Sequence, residues 1–182
     1  MFSFLRHPMR RTASIFAATL MLLVACGGVD SGGTGVGQSG QPTYAAGPIT
    51  GFGSIVVNGV HYDESAAEIV DDEDRLRSRY DLKLGMLTEV FASAVVNDAT
   101  RLSATAAAVR FGSQIVGQIE IVDVPGSQLV VLGQVGRVTS ATVFDAAAGG
   151  LAALAAGDSI EVYAQLDVNA QNYVATRIER RG

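Results

Sequence analysis

Hydrophobic and polar residues alternate along much of the chain after residue 47, and the pattern is clearest in two segments. In residues 86–94 the even-numbered positions are Met, Thr, Val, Ala and Ala, and in residues 160–166 they are Ile, Val, Ala and Leu. Alternation with a period of two is typical of a strand that is buried on one face. Both segments are therefore predicted to be strands, with these side chains facing a core.

Shorter apolar runs predict the remaining strands of the first half. The segment "SIVVNGVHY" contains Asn58 and Gly59, and Asn-Gly is a strong β-hairpin signal because a type I′ turn needs positive φ at both central residues. Further strands are predicted at residues 49–52, 68–70 and 104–111. The first half is thus predicted to consist mostly of short strands joined by tight turns.

A short helix is predicted between the third and fourth strands of each half. In the first half, the acidic residues 71–74 precede Arg75, Arg77 and Arg79, an order that complements the positive start and negative end of a helix. In the second half, the alanine-rich residues 151–156 are followed by Gly157, which suits a helix C-cap.

The chain after residue 47 repeats itself loosely, and such repetition indicates tandem modules. The segment "LKLGMLTEVFA" (residues 82–92) matches "LAAGDSIEVYA" (residues 154–164), with Leu, Gly, Glu, Val, an aromatic residue and Ala in identical spacing. Residues 55–59 match residues 129–133 in the same way. We therefore predict a first module at residues 47–114 and a second at residues 117–182.

Five strands with a helix between the third and fourth is the element order of an OB-like barrel. The predicted fold class is accordingly all-β, with two tandem small OB-like five-stranded barrels, each carrying a short helix between strands 3 and 4. A plain antiparallel sandwich is the alternative that the same strand pattern allows.

The first 25 residues have the layout of a signal peptide. Three arginines fall within residues 1–12, and residues 13–25 are apolar and uncharged, as expected for an exported chain. This run is shorter than the roughly 20 residues that a spanning helix needs. Residues 1–25 are therefore predicted to be a signal peptide, and a retained inner-membrane anchor is the alternative.

The signal ends in Leu23-Val24-Ala25-Cys26, which resembles the bacterial lipobox, and Cys26 is the only cysteine of the chain. The resemblance implies cleavage between Ala25 and Cys26, and lipidation of Cys26. Because Gly27 rather than aspartate follows, resemblance to lipoproteins of Gram-negative bacteria implies an outer-membrane location facing the periplasm. An ordinary secretory signal with a free cysteine is the other interpretation.

Residues 26–46 are predicted to be a flexible tether. Residues 27–46 hold seven glycines and few large side chains, and such a segment spans about 25 Å as a random coil. Residues 35–40 match G-x-G-x-x-G, but no apolar strand precedes them and no helix follows. Since a dinucleotide site needs both elements, this match predicts no cofactor.

Several segments of the folded part look like repeats of a bacterial family, the domain of unknown function 5666 (DUF 5666). They are "GPITGFGSIVVNGVHYD", "DLKLGM" before "EVFA", "LVVLGQVGRV" and "GDSIEVYA". The first copy matches well, whereas the second lacks the Gly-Phe-Gly and has Ala155-Ala156 in place of Lys83-Leu84. The family has no established activity, so the resemblance implies organisation rather than chemistry.

Residues able to support catalysis or metal binding are sparse after Cys26. His61 is the single histidine of this part, so the three or four nitrogen and sulfur ligands of a usual zinc site cannot be assembled. Serines next to glycine occur at Ser54, Ser113 and Ser127, but a nucleophilic serine needs a base and an orienting acid. A serine with His61 and Asp63 is the only such set, and it is disfavoured.

Paired carboxylates are the remaining route to an enzyme. Glu89 and Glu161 occupy equivalent positions, and two carboxylates about 5–10 Å apart across a cleft can hydrolyse a glycoside. We expect them instead on the outside of separate barrels, with Arg110 and Arg177 as cross-strand neighbours. The acidic run at residues 71–74 lacks the alternation and the glycine of an EF-hand loop.

The charge of the folded part narrows the choice of partner. After residue 25 the chain has ten basic and eighteen acidic residues, a net charge of −8, and neutralising phosphates requires clustered basic residues. Nucleic acid is thus disfavoured. The sequence predicts a membrane-anchored binding or scaffold protein without cofactor or enzymatic activity, whose partner is an envelope protein or glycan; a minimal hydrolase acting between the modules is the alternative.

Overall fold

The computed structural model describes residues 41–182. The predicted signal peptide, the cleavage position at Ala25 and Cys26, the lipidation of Cys26 and most of the tether lie outside the described residues. Within residues 41–182, no helix has the length and hydropathy needed to cross a membrane.

Seven strands make up the first half of the described chain. They are β1 (Thr43–Gly51), β2 (Ile55–Val57), β3 (Val60–Asp63), β4 (Glu68–Asp71), β5 (Leu87–Ala92), β6 (Val96–Asn97) and β7 (Leu102–Phe111). The order β3-β2-β1-β5-β7 is closed by parallel pairing of β3 with β7. These five strands form a closed barrel, barrel 1, whose first strand includes residues 43–46 of the predicted tether.

Six strands follow in the second half. They are β8 (Ile115–Asp123), β9 (Gln128–Val131), β10 (Gln134–Arg137), β11 (Val143–Phe144), β12 (Ser159–Asp167) and β13 (Asn172–Arg180). The order β10-β9-β8-β12-β13 is closed by parallel pairing of β10 with β13. This second closed barrel, barrel 2, has the same strand order as barrel 1.

The predicted all-β class and the two small five-stranded barrels are confirmed, and the sandwich alternative is wrong. In each barrel the third strand of the closed set pairs in parallel with the last, while the other pairs of the closed set are antiparallel. Closure removes the exposed strand edges that an open sheet would leave. The OB-like description therefore fits both halves.

The short helix predicted between strands 3 and 4 is wrong in both barrels. Strand β4 confirms the strand predicted at residues 68–70, and the chain between β4 and β5 and between β11 and β12 forms one three-residue 3₁₀ turn each, Arg79–Asp81 and Leu151–Ala153. The turns are too short to gain from helix cooperativity. In barrel 2, Gly149 and Gly150 both adopt positive φ just before the turn, which separates it from the preceding chain.

In barrel 1 a buried carboxylate replaces the predicted helix start. Asp71 accepts hydrogen bonds from the backbone N–H of Glu73 and Arg75, both at 3.0 Å, and from the guanidinium groups of Arg75 and Arg77 at 2.9 and 2.8 Å. Burial alone would raise the pKa of Asp71, but these hydrogen bonds outweigh it and hold the pKa far below its usual range. The acids and arginines of residues 71–79 thus stabilise a loop.

Alternation along the fourth strand of each barrel is confirmed over most of its length. In β5, Thr88, Val90 and Ala92 are buried while Glu89 and Phe91 point outward. Their equivalents on the buried face of β12 line the core of barrel 2: Ile160, Val162 and Ala164. Leu166, which was expected on the buried face, is 56% exposed. The reason is that β8 pairs with β12 only as far as Val162, so Leu166 extends past the closed part of the barrel.

The Asn-Gly hairpin is confirmed. Asn58 and Gly59 have φ of 52° and 78°, as a type I′ turn requires. The same turn in barrel 2 is formed by Leu132 and Gly133, with φ of 51° and 70°. A branched side chain in the left-handed region is uncommon, so the fold of barrel 2 imposes this turn on a residue that does not favour it.

Candidate functional site

Two equivalent surfaces, one on each barrel, differ most in what covers them. The outer side of β1, β5 and β7 is called the open face and consists of Tyr44, Glu89, Phe91, Ala108 and Arg110. The outer side of β12 and β13 is called the covered face and consists of Glu161, Tyr163, Arg177 and Glu179. Phe91 pairs with Ala108, and Tyr163 pairs with Arg177, each just before a register shift in its strand pair.

An aromatic pair dominates the open face. Tyr44 and Phe91 are directly opposite on β1 and β5, and their ring centroids are 5.1 Å apart at an angle of 55°. The two residues are 55% and 48% exposed. Desolvation and the nearby Glu89 carboxylate raise the pKa of Tyr44. The tilted pair presents an apolar surface to solvent, with the polar hydroxyl of Tyr44 on it.

Charged side chains border this aromatic pair. Glu89 and Arg110 are cross-strand partners on β5 and β7, as predicted. The guanidinium of Arg110 forms its ion pair with Asp74 of the loop after β4, and this contact raises the pKa of Arg110 further. The open face is therefore an apolar centre beside a polar rim, an arrangement common in protein interfaces.

Tyr163 gives the covered face its buried centre. The side chain is 3% exposed and belongs to the core cluster of barrel 1, which includes Leu82 and Met86. Its hydroxyl donates a hydrogen bond of 3.0 Å to Oε1 of Glu161. Burial, followed by the charge of Glu161, raises the pKa of Tyr163 well above its usual range. Tyr163 thus stays neutral and anchors barrel 2 on barrel 1.

Polar contacts complete this junction between the barrels. Nη1 of the buried Arg177 donates a hydrogen bond of 3.0 Å to the carbonyl oxygen of Leu84, and Nζ of Lys83 donates one of 3.1 Å to Oε1 of Glu179. Residues 83–85, called loop 1, therefore lie against the outer side of β13. Arg177 was predicted to be a cross-strand neighbour of Glu161; it is the diagonal neighbour, since it pairs with Tyr163 while Glu179 lies directly opposite Glu161.

A polar cleft of about 360 Å³ runs between the barrels beside this junction. Its two barrel 2 carboxylates are engaged by basic or hydroxyl groups: Glu161 contacts Arg181 at 3.4 Å and accepts from the Tyr163 hydroxyl, and Glu179 accepts from Lys83. Glu89 lines a different cavity, of about 270 Å³. The structure therefore does not bring Glu89 and Glu161 into one cavity, which is the arrangement that a hydrolase would need.

The serine and histidine candidates are only partly brought together. Oγ of Ser54 lies 3.4 Å from Nδ1 of His61. Asp63 accepts a hydrogen bond of 3.0 Å from the backbone N–H of Ser65 instead, and these Ser65 contacts lower its pKa. Among the hydrogen bonds of residues 41–182, none joins a carboxylate to the ring of His61, so this set has no orienting acid.

Three of the four acidic residues at positions 71–74 form ion pairs: Asp71, Glu73 and Asp74. Asp71 binds Arg75 and Arg77, and Asp74 binds Arg110. Within the part of the chain that the structure describes, no group of three or more His, Cys, Asp and Glu side chains is arranged to hold a metal ion.

Tyr44, Phe91 and Tyr163 were not singled out as site residues by sequence reasoning. Phe91 and Tyr163 belong to the repeated "EVFA" and "EVYA" motifs, and alternation places both outside the barrel core. An aromatic residue that recurs at an outward position is a signal for a contact surface. The identity of the covering element depends on the packing of the barrels, which no local pattern encodes.

The strand order and closure of both halves place the protein among tandem OB-like barrel proteins. Residues 116–179, most of barrel 2, match the model of the family described as Domain of unknown function (DUF5666). The match confirms the resemblance over these residues, which belong to the repeat that we expected to be the more divergent. No curated protein and no solved structure matches the chain.

Proposed function

We propose that this chain is a lipid-anchored binding or scaffold protein of the cell envelope. Signal cleavage before Cys26 and acylation of that residue attach it to the outer membrane, facing the periplasm. The Gly-rich tether then holds the two barrels near the bilayer. Two or more acyl chains give stable attachment, whereas a single chain gives only marginal binding.

The open face is the observation that carries the binding role. Its aromatic pair, Tyr44 and Phe91, is exposed in barrel 1, whereas Tyr163, the equivalent of Phe91, is buried at the junction of the two barrels. Aromatic side chains supply much of the contact energy of protein interfaces. A surface that is used for contact in one barrel supports a contact role for its equivalent in the other.

Catalysis is not favoured by the geometry. The cleft carboxylates Glu161 and Glu179 are engaged by basic side chains, and Glu89 lines a separate cavity. A hydrolase acting through carboxylates would instead need one acid kept protonated and a second carboxylate facing it across the substrate. The open face therefore suits a protein or glycan that is bound and not hydrolysed.

The anchor is tested by replacing the acylated residue. Cys26→Ser removes the sulfur that would carry the lipid, so we expect the variant to be released from the membrane fraction by salt or carbonate washing. Mass spectrometry of the wild type should find an acylated N-terminal peptide beginning at Cys26. A Cys26→Ser variant that stays as firmly membrane-bound as the wild type would refute the anchor.

The binding role is tested by photocrosslinking in whole cells. We expect p-benzoylphenylalanine at position 91 to give discrete adducts with an envelope component. Position 52 is the matched control, since Phe52 is also an aromatic residue that is about half exposed but is not part of the open face. Equal or absent labelling at both positions would contradict a role for the open face.

A further inference from the structure

Barrel 1 and barrel 2 contain an equivalent hydrogen bond at the loop before their fourth strand. The backbone N–H of Gly85 donates to the carbonyl of Ile49 at 2.8 Å, and that of Gly157 donates to the carbonyl of Ile119 at the same distance. Residues 155–157, called loop 2, are thus the counterpart of loop 1. Strand pairing makes Phe91 the counterpart of Tyr163.

Within the chain, loop 1 and the covered face form one contact. Gly85 is buried there with φ of +81°, and a Cβ added to it would lie 2.4 Å from the carbonyl oxygen of Thr176. Leu84 and Lys83 supply the hydrogen bonds to Arg177 and Glu179. The contact is close enough that the glycine is needed both for its φ and for its lack of a side chain.

One half of the same contact remains unused in each barrel. Loop 2 is exposed, and a Cβ added to Gly157 would meet no atom within 4 Å. The open face likewise leaves Phe91 and Tyr44 half exposed. Within residues 41–182, each chain therefore presents one exposed loop, on barrel 2, and one exposed face, on barrel 1.

We infer that loop 2 of one copy docks on the open face of a second copy, in the way that loop 1 docks on the covered face within the chain. This inference rests on the proposed function and names the partner as a second copy of this chain. Because the loop and the face are different surfaces, the contact is heterologous, and repeating it adds copies head to tail into rings or filaments.

The residues that would meet in the proposed contact between copies are compatible with each other. Where Lys83 meets Glu179 within the chain, Ala155 would meet Arg110, so that no like charges oppose each other. Where Arg177 donates to the Leu84 carbonyl, Ala108 would lie near Ala156. The Lys83–Glu179 ion pair and the Arg177 hydrogen bond therefore have no counterpart in this contact, and the ring of Tyr44 adds apolar area on the open face.

The second copy is tested with the purified full chain in detergent. Chains carrying p-benzoylphenylalanine at position 91 are mixed with ¹⁵N-labelled wild type and irradiated, and the adducts are mapped by mass spectrometry. We expect mixed light–heavy adducts to peptides containing loop 2. Position 52 serves as the control and should give none.

The outcomes separate this inference from the proposed function. Adducts to the equivalent open face of a second copy would indicate a two-fold dimer and overturn the inference. Absence of self-adducts in detergent would also overturn it, whereas the proposed function would stand if position 91 still labels another envelope component in cells. Loss of anchoring in Cys26→Ser leaves this assay unaffected, because it is carried out in detergent.

A charge exchange tests the register of the contact. Ala155→Lys places a cation opposite Arg110, and we expect the yield of self-adducts to fall about two- to fivefold, the size of an exposed charge pair. Adding Arg110→Glu recreates the Lys83–Glu179 arrangement and should restore the yield. Failure of this second substitution to rescue the first would overturn the proposed pairing of loop 2 with β7.

Discussion

The open face and the covered face occupy the same place in two barrels of the same strand order, yet their central aromatic residues have opposite environments. Phe91 is 48% exposed and Tyr163 is 3% exposed. Both point away from the core of their own barrel. The difference arises because loop 1 and its neighbours pack over Tyr163. An outward-facing residue of a strand is therefore buried only when another element covers it.

Removing the central aromatic residue should separate the two faces most clearly. Tyr163→Ala deletes a buried ring at the junction of the barrels, and we expect it to lower the free energy of unfolding by about 3–5 kcal/mol. Phe91→Ala removes a half-exposed ring and should cost well under half as much. Chemical denaturation followed by circular dichroism measures both; equal losses would contradict the assigned difference in burial.

The equivalent glycines of loop 1 and loop 2 provide a matched comparison, with the next largest expected effect on stability. Gly157→Ala places a side chain at φ of +92° in open space, which should cost about 1–2 kcal/mol. Gly85→Ala has a similar conformational cost and also forces a Cβ against the Thr176 carbonyl, adding about 1–3 kcal/mol. Thermal denaturation of both variants gives the difference, and similar melting temperatures would show that loop 1 is not tightly packed.

Acid should weaken the loop after β4 in barrel 1. Because hydrogen bonds depress the pKa of folded Asp71, its stabilisation is present above the unfolded pKa of about 3.9 and is lost as the pH falls below that value. Asp71→Asn should therefore be less stable than wild type at pH 7, with the gap narrowing towards pH 2. Denaturation midpoints across this range check it; a constant gap would contradict the assignment.

The smallest effect is expected from the exposed ion pair at the junction. Lys83→Met removes the ion pair between Lys83 and Glu179, in which both side chains are partly exposed. We expect it to lower the free energy of unfolding by about 0.2–1 kcal/mol, and by less in high salt. Ala155→Lys, at the equivalent position of barrel 2, should leave the unfolding free energy of the monomer unchanged. Urea denaturation at low and high ionic strength tests whether the pair contributes at all.

The segment that was predicted to be a helix in barrel 1 shows where local sequence patterns were insufficient to predict the structure. The order of acids before bases at residues 71–79 satisfies the charge rule for a helix. The Asp71 carboxylate, buried at the end of β4, instead accepts hydrogen bonds from backbone N–H groups and guanidinium groups of this segment and holds it as a loop. β4 exists because it pairs with the second half of β7, and that pairing joins residues far apart in the chain. A charge pattern alone does not distinguish these outcomes.

Alternation in residues 86–94 and 160–166, the Asn58-Gly59 turn and the repeated motifs by themselves determined the all-β class and the repetition of short strands in two halves. These signals are local, because side-chain period and turn conformation are set by adjacent residues. Barrel closure, the burial of Tyr163 and the exposure of Phe91 were decided only by the tertiary structure. They depend on which surfaces meet, and the repeat gives both aromatic residues the same local sequence while only one of them is covered by loop 1.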